Sequence, residues 1–166
     1  SRLVYAIFQN AGKSYNTGME MIWDQKVSDL YSFNLNGNIY RNQINAFTVQ
    51  NLYPQPNTFS ADQQVMFSGN VKLNNTFRLP KGWDAQLTAV YLAPDIIPQG
   101  SIDYRFSIDM GLKKAIQKGQ GELFFNASDL FNTMIIRRDI QGEGFKYVST
   151  DYYETQVMRL GYSYKF

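Results

Sequence analysis

Residues 154–166 constrain the fold more than any other stretch of this chain. Met158, Leu160, Tyr162, Tyr164 and Phe166 take one set of alternate positions, and Val157, Arg159, Gly161, Ser163 and Lys165 take the other. Successive side chains of a β-strand point to opposite faces, so the segment has one aromatic, greasy face and one mostly polar face. The sequence ends on Phe166 with no polar tail. In a soluble protein such a terminal strand invites edge pairing. In a transmembrane barrel it closes the sheet and sets aromatic rings at the membrane interface.

The same two-residue period recurs upstream. Met19, Met21 and Trp23 oppose Glu20, Ile22 and Asp24 over 18–25. Tyr31, Phe33, Leu35, Gly37 and Ile39 oppose Ser32, Asn34, Asn36 and Asn38 over 29–41. In 62–79, Val65, Phe67, Val71, Leu73 and Phe77 oppose Met66, Ser68, Asn70, Lys72 and Asn74. In 83–92, Trp83, Ala85, Leu87, Ala89 and Tyr91 face away from Asp84, Gln86, Thr88 and Val90. The cleanest run is 101–116, where Ile102, Tyr104, Phe106, Ile108, Met110 and Leu112 alternate with Asp103, Arg105, Ser107, Asp109, Gly111 and Lys113. Residues 121–132 set Leu123, Phe125 and Ala127 against Glu122, Phe124, Asn126 and Ser128. A helix, with its period of 3.6, would scatter these sets. The run 2–9 is β-branched and aromatic but ambiguous in phase. With it and the terminal segment, the expectation is eight strands.

The connections alternate in length. Short turns are expected at 26–28, at Pro80-Lys81-Gly82 and at 117–120, and a moderate one at 10–16. Residues 42–61, with Pro54 and Pro56, and 93–100, with two more prolines, read as loops. Residues 133–153 read as a long mixed connection with a strand extension around Gln141-Gly142-Glu143-Gly144. Short turns on one side and long loops on the other give an up-and-down antiparallel barrel, with the short turns periplasmic. Trp23, Tyr31, Phe77, Trp83 and Phe166 lie in the apolar phase beside a short turn or the terminus, which predicts one interfacial girdle. Tyr91 and Tyr104 flank a long loop and are expected in the other. Phe106, Ile108, Met110, Leu73, Leu35 and Leu160 are expected to face lipid.

Composition excludes several kinds of function. The 166 residues contain no Cys and no His, which removes disulfides, thiolate metal sites and the commonest general base. The formal charge of +2, without a run of Lys or Arg, does not suit a nucleic-acid binder. No apolar run approaches the ~18 residues of a spanning helix, which a barrel does not need. No signal peptide opens the sequence, so an exported protein is expected to derive from a longer precursor.

The terminal Arg159-Leu160-Gly161-Tyr162-Ser163-Tyr164-Lys165-Phe166 resembles the C-terminal signal of outer-membrane barrels, in which a polar residue, a Gly and two aromatics recur at fixed spacing. Arg159, Gly161, Tyr164 and Phe166 carry that likeness, and it implies recognition by the barrel-assembly machinery. Gly111 to Thr133, with Asp129-Leu130-Phe131-Asn132 near its end, is similar to the penultimate hairpin of TonB-dependent outer-membrane receptors. The likeness spans the whole chain and is strongest after Gly111. It implies one segment, 1–166, forming roughly the last third of a barrel of about twenty-two strands. The resemblance also implies that the plug and the remainder of the receptor barrel lie elsewhere, and that the location is the outer membrane of a Gram-negative cell.

The expected partners are therefore the lipid bilayer, the assembly machinery and the rest of the receptor. No catalytic residue, cofactor or metal is expected. Glu20 with Asp24, and Asp103 with Arg105 and Asp109, read as lumen-facing polar residues, hydrated or ion-paired. Alone, the section is expected to close first strand to last, pressing Arg105, Lys72, Arg159, Asp103 and Glu20 together. Two alternatives remain. One is a soluble lipocalin-like eight-stranded barrel with the Met, Phe and Tyr set inside, binding a small apolar ligand. The other is a structural outer-membrane protein or adhesin.

Overall fold

The computed structural model describes residues 10, 12–52, 56–142 and 145–166. The expected first strand, 2–9, lies outside them, as do Pro54 and Glu143-Gly144. Seven strands form one antiparallel sheet in sequence order: β1 (Ser14–Lys26), β2 (Tyr31–Ile44), β5 (Gln64–Leu79), β6 (Trp83–Leu92), β9 (Arg105–Ile116), β10 (Gly121–Ser128) and β13 (Val157–Tyr164). These match seven of the eight expected strands. Among the described residues the sheet is open, with β1 paired only to β2 and β13 only to β10.

The three short turns join the neighbours they were expected to join. Pro80–Gly82 and Gln117–Gly119 are single 3-10 turns. Each places Lys then Gly at positive φ, Lys81 at 63° and Gly82 at 75°, Lys118 at 58° and Gly119 at 92°. The first turn covers 27–30. Ser28 Oγ accepts the backbone N–H groups of Leu30 and Tyr31 at 3.2 and 3.1 Å, and Lys26 pairs with Asp29 at 2.5 Å.

The long connections differ from expectation, because they carry their own sheets. Within 42–61, β2 runs on to Ile44, and β3 (Phe47–Asn51) pairs with β4 (Asn57–Ala61). Within 93–100 lies β7 (Asp95–Ile97), hairpinned to β8 (Gly100–Ile102). Residues 133–153 hold β11 (Ile135–Gly142) and β12 (Phe145–Tyr152). These last four strands form a second sheet in the order β12-β11-β8-β7. The run 101–116 is accordingly two strands, broken at Asp103-Tyr104, with its first piece in the loop sheet. The segment 121–132 ends as a strand at Ser128, and 10–16 is not all turn, since Ser14 already pairs with Ile44.

Register sorts most side chains of the main sheet into one apolar and one polar face, with Asn75 and Lys114 on the first and Ile22 and Phe124 on the second among the exceptions. Directly opposed residues share a face. The rungs Trp23↔Leu35↔Leu73↔Ala89↔Ile108 and Tyr31↔Phe77↔Ala85↔Leu112↔Phe125↔Leu160 run along one face. Rungs Leu79↔Trp83, Leu87↔Met110 and Tyr91↔Phe106 belong to the same side. So Trp23, Tyr31, Phe77, Trp83, Phe106, Ile108, Met110 and Leu160 are all co-facial. This face is bare: Met19, Ile39, Phe67 and Leu160 are 72–82% exposed. Ile44 and Ala127 are the only buried hydrophobic residues among those described. Such a sheet has no interior of its own, and its stability in water would lack the main favourable contribution to folding.

Candidate functional site

The opposite face is polar and cross-linked. Asn34 Nδ2 donates to Asp24 Oδ1 at 2.6 Å, and Asn36 donates to Asn34. Asn74 Nδ2 reaches Asn34 Oδ1 at 3.1 Å, and Thr88 Oγ1 reaches Asn74 Oδ1 at 3.0 Å. A chain of amides thus crosses β1, β2, β5 and β6. Asn38 and Asn70 add a second link at 3.1 Å. Farther along, Lys113 pairs with Glu122 at 2.8 Å.

At the loop end of this face the second sheet folds over the first. Asp95 of β7 accepts Tyr40 OH on Oδ2 and Asn42 Nδ2 on Oδ1, both at 2.8 Å. Tyr40 and Asn42 project from β2 on the polar side. Asn42, Ser68 and Ser107, all on that side, are buried. Arg105 Nε is also buried there and has no hydrogen-bond partner among the described residues. A connection folded onto the polar face leaves the apolar face uncovered, and a lipid-covered face would have no room for it and would penalise its backbone.

A second knot lies where β10 ends. Asp129 is 3% exposed, at φ 45°. Its carboxylate accepts Thr155 Oγ1 at 2.6 Å, Thr133 N at 2.9 Å, Met134 N at 3.1 Å and Thr133 Oγ1 at 3.3 Å. Its own N–H donates to Asp109 Oδ1 at 2.8 Å. Burial acts to raise the Asp129 carboxyl, but these hydrogen bonds outweigh it and hold the group below the ordinary carboxylate range. Asp129 ties the approach to β13 back onto the end of β10.

The girdle residues meet as pairs. Tyr31 stacks on Phe77 with centroids 4.9 Å apart, Trp23 meets Phe33 edge-on at 5.5 Å, and Lys114 Nζ lies 5.0 Å over the Trp83 ring. At the loop end Tyr91 and Tyr104 stack at 6.2 Å. In the terminal signal, Arg159 is exposed opposite Asn126, Tyr164 opposes Gly121, and Phe166 meets Tyr164 edge-on at 5.3 Å. Gly161 opposes Phe124, whose Cζ sits 2.2 Å from where a Cβ on Gly161 would be. A Cβ there would have to displace the aromatic ring that lies across the polar face. Tyr162 OH donates to Gln117 Oε1 at 2.7 Å, fastening this strand to the last short turn.

Two expectations about charges are corrected. Asp103 is not on a strand face with Arg105 and Asp109. It sits in the break before β9, its N–H bonded to Arg137 O at 2.9 Å. Nor are Arg105, Lys72, Arg159, Asp103 and Glu20 drawn into ion pairs. The three pairs among the described residues are Lys26–Asp29, Lys113–Glu122 and Arg138–Asp151. An open sheet keeps those groups apart. No cluster of three His, Cys, Asp or Glu able to hold a metal occurs among the described residues, and no helix there is long and apolar enough to cross a membrane.

Sequence reasoning missed Asp95, Tyr40, Asn42 and Phe124 as structural partners. Asp95 and Asn42 are 53 residues apart, and nothing local announces their contact. Asp129 was within reach, since Asp-Leu-Phe-Asn was already conspicuous.

Comparison with known protein families matches residues 1–164 to the outer membrane protein beta-barrel family. Comparison with curated proteins and with solved structures finds no match.

Proposed function

The chain belongs to the outer membrane protein beta-barrel family, and on that premise we propose that it is the C-terminal section of an active-transport receptor in a Gram-negative outer membrane. Its role as a membrane barrel follows from the family and the fold. The finer reading is carried by one feature: a bare apolar face and a polar face with a folded-in loop, on a sheet whose two edges are open among the described residues. Unpaired strand edges do not persist in lipid, so further strands complete the wall. The likeness of Gly111 to Thr133 to a receptor hairpin supports the receptor class for that larger barrel. A soluble barrel with an apolar interior does not fit, because β7 would then lie on its outer surface.

In this role the section is not an enzyme and needs no cofactor. Arg159, Gly161, Tyr164 and Phe166 present the terminal strand to the barrel-assembly machinery. Trp23, Tyr31, Phe77 and Trp83 anchor the turn end at one membrane interface, while Phe106, Ile108, Met110 and Leu160 contact acyl chains. The rest of the barrel and its plug supply gating and energy coupling. A structural protein or adhesin would share the wall but not the uptake. The full-length protein in intact cells should therefore take up its nutrient ligand in a way that an uncoupler abolishes. The 166-residue section alone in liposomes should neither take up solute nor conduct. A steady pore from the section alone, or uptake indifferent to the uncoupler, would contradict the receptor reading.

A further inference from the structure

A cleft of about 520 Å³ opens among the long connections. Its walls come from three of them: the β4 end of the first, the Pro98-Gln99 turn of the β7–β8 hairpin, and the end of β11. Gly100 makes this meeting possible. Its φ is 144°, and a Cβ there would fall 1.8 Å from Asp139 O, so only glycine lets β8 lie against β11. The backbone bond from Gln141 N to Gln99 O, 2.8 Å, then fixes two walls together.

The chemistry of the lining is selective. Thr58, Asp62, Gln64, Gln99 and Gln141 all border the cleft, and none of their side chains bonds another side chain or backbone group among the described residues. The Asn amides of the sheet below are, by contrast, largely engaged with one another. Free primary amides offer a donor pair and an acceptor side by side, which suits vicinal hydroxyls, and a carboxylate accepts two hydroxyl protons. Phe59 adds a half-buried ring for a C–H face. Among the described residues no Lys or Arg lines the cleft, so nothing described there favours a phosphate or carboxylate. Asp62 is the only acidic residue among the described lining, too little for a cation, and the walls are as polar as they are apolar, which suits a ligand with both hydroxyls and C–H faces better than a wholly lipophilic guest. The volume falls within the ~300–1,000 Å³ usual for small-molecule sites.

We propose that this cleft is a binding subsite for a neutral, hydroxyl-rich ligand, a carbohydrate. The assignment rests on the receptor reading above for one point, that the long connections face the cell exterior where such a ligand arrives.

The test uses the full-length protein in a detergent without a sugar head-group, applied to an array of neutral and anionic oligosaccharides. Retention of neutral glycans is expected, with affinity falling at least about tenfold in the Gln99→Ala, Gln141→Ala double variant. Both residues are exposed and their mutual bond is between backbones, so the variant should assemble normally, which heat-modifiable gel mobility checks. Three results would overturn the proposal: no retained glycan, retention of anionic glycans only, or unchanged affinity in the double variant. If glycans fail to bind while uncoupler-sensitive uptake persists, the cleft assignment falls and the receptor stands. If glycans bind to a passive pore, the reverse holds.

Discussion

Ile108 and Gln86 stand on neighbouring strands and opposite faces, and they give the sharpest contrast at the level of single residues. Ile108→Arg places a charge on the apolar face and should cost about 2–4 kcal/mol of folding stability in a bilayer. Gln86→Arg, on the exposed polar face, should cost well under half of that. Equal costs in vesicle-refolding titrations would contradict the facing. Ser107, the polar-phase neighbour of Ile108, is a poor control because it is 5% exposed and an arginine has no room there. Asp129 yields a pH prediction. Its pKa is depressed by folding, so its contribution is fully present above the unfolded value of ~3.9 and is lost as pH falls through the lower folded value. Asp129→Ala should lose about 1–3 kcal/mol at neutral pH and flatten acid unfolding in that low range. A variant whose acid unfolding profile keeps the wild-type slope would refute this role.

Elements show what was legible in the sequence and what was not. The seven wall strands and three short turns were readable because each is encoded locally, by a two-residue period or by Pro, Lys and Gly in a fixed order. Residues 42–61 and 93–100 were read as loops and 133–153 as a mixed connection with a strand extension, yet together with the start of 101–116 they contain six short strands, because strands of three to eight residues owe their pairing to distant partners. Asp95 meets Tyr40 only through tertiary structure, and Phe124 covers Gly161 only through register. Of the residues bordering the cleft, no single one was read as a ligand contact, and Gln141 and Gly142 were marked only as part of a strand extension, since isolated Gln and Thr carry no motif. Two predictions belong here. Gly161→Val should impair barrel assembly by clashing with Phe124, and adding Phe124→Ala should restore it; failure of the second change to rescue would mean that the glycine serves another purpose. Asp95→Ala should release β7 from β2, raising amide exchange across 95–102 by roughly tenfold or more while 83–92 stays protected. Unchanged exchange over 95–102 would show that the strap is held by other contacts.

On the scale of the whole molecule, the described residues form a curtain of strands with two unlike faces, and among them both edges are open, as in a wall between lipid and water. The terminal signal and the period implied this wall; the register established that its apolar residues are co-facial, and β7 lies on the polar side. The expected closure of 1–166 on itself involves residues 2–9, which lie outside the described residues, and nothing joins β1 to β13 among those described. The central claim is the facing, and β9 tests it best. The 166 residues contain no cysteine, so single cysteines can be placed at positions from 105 to 114 and spin-labelled in the membrane-inserted full-length protein, with any cysteine outside these residues replaced. Collision with oxygen, which partitions into lipid, should peak at 106, 108, 110 and 112, and collision with a water-soluble nickel chelate at 109, 111 and 113. The opposite phase, or no alternation at all, would contradict the account.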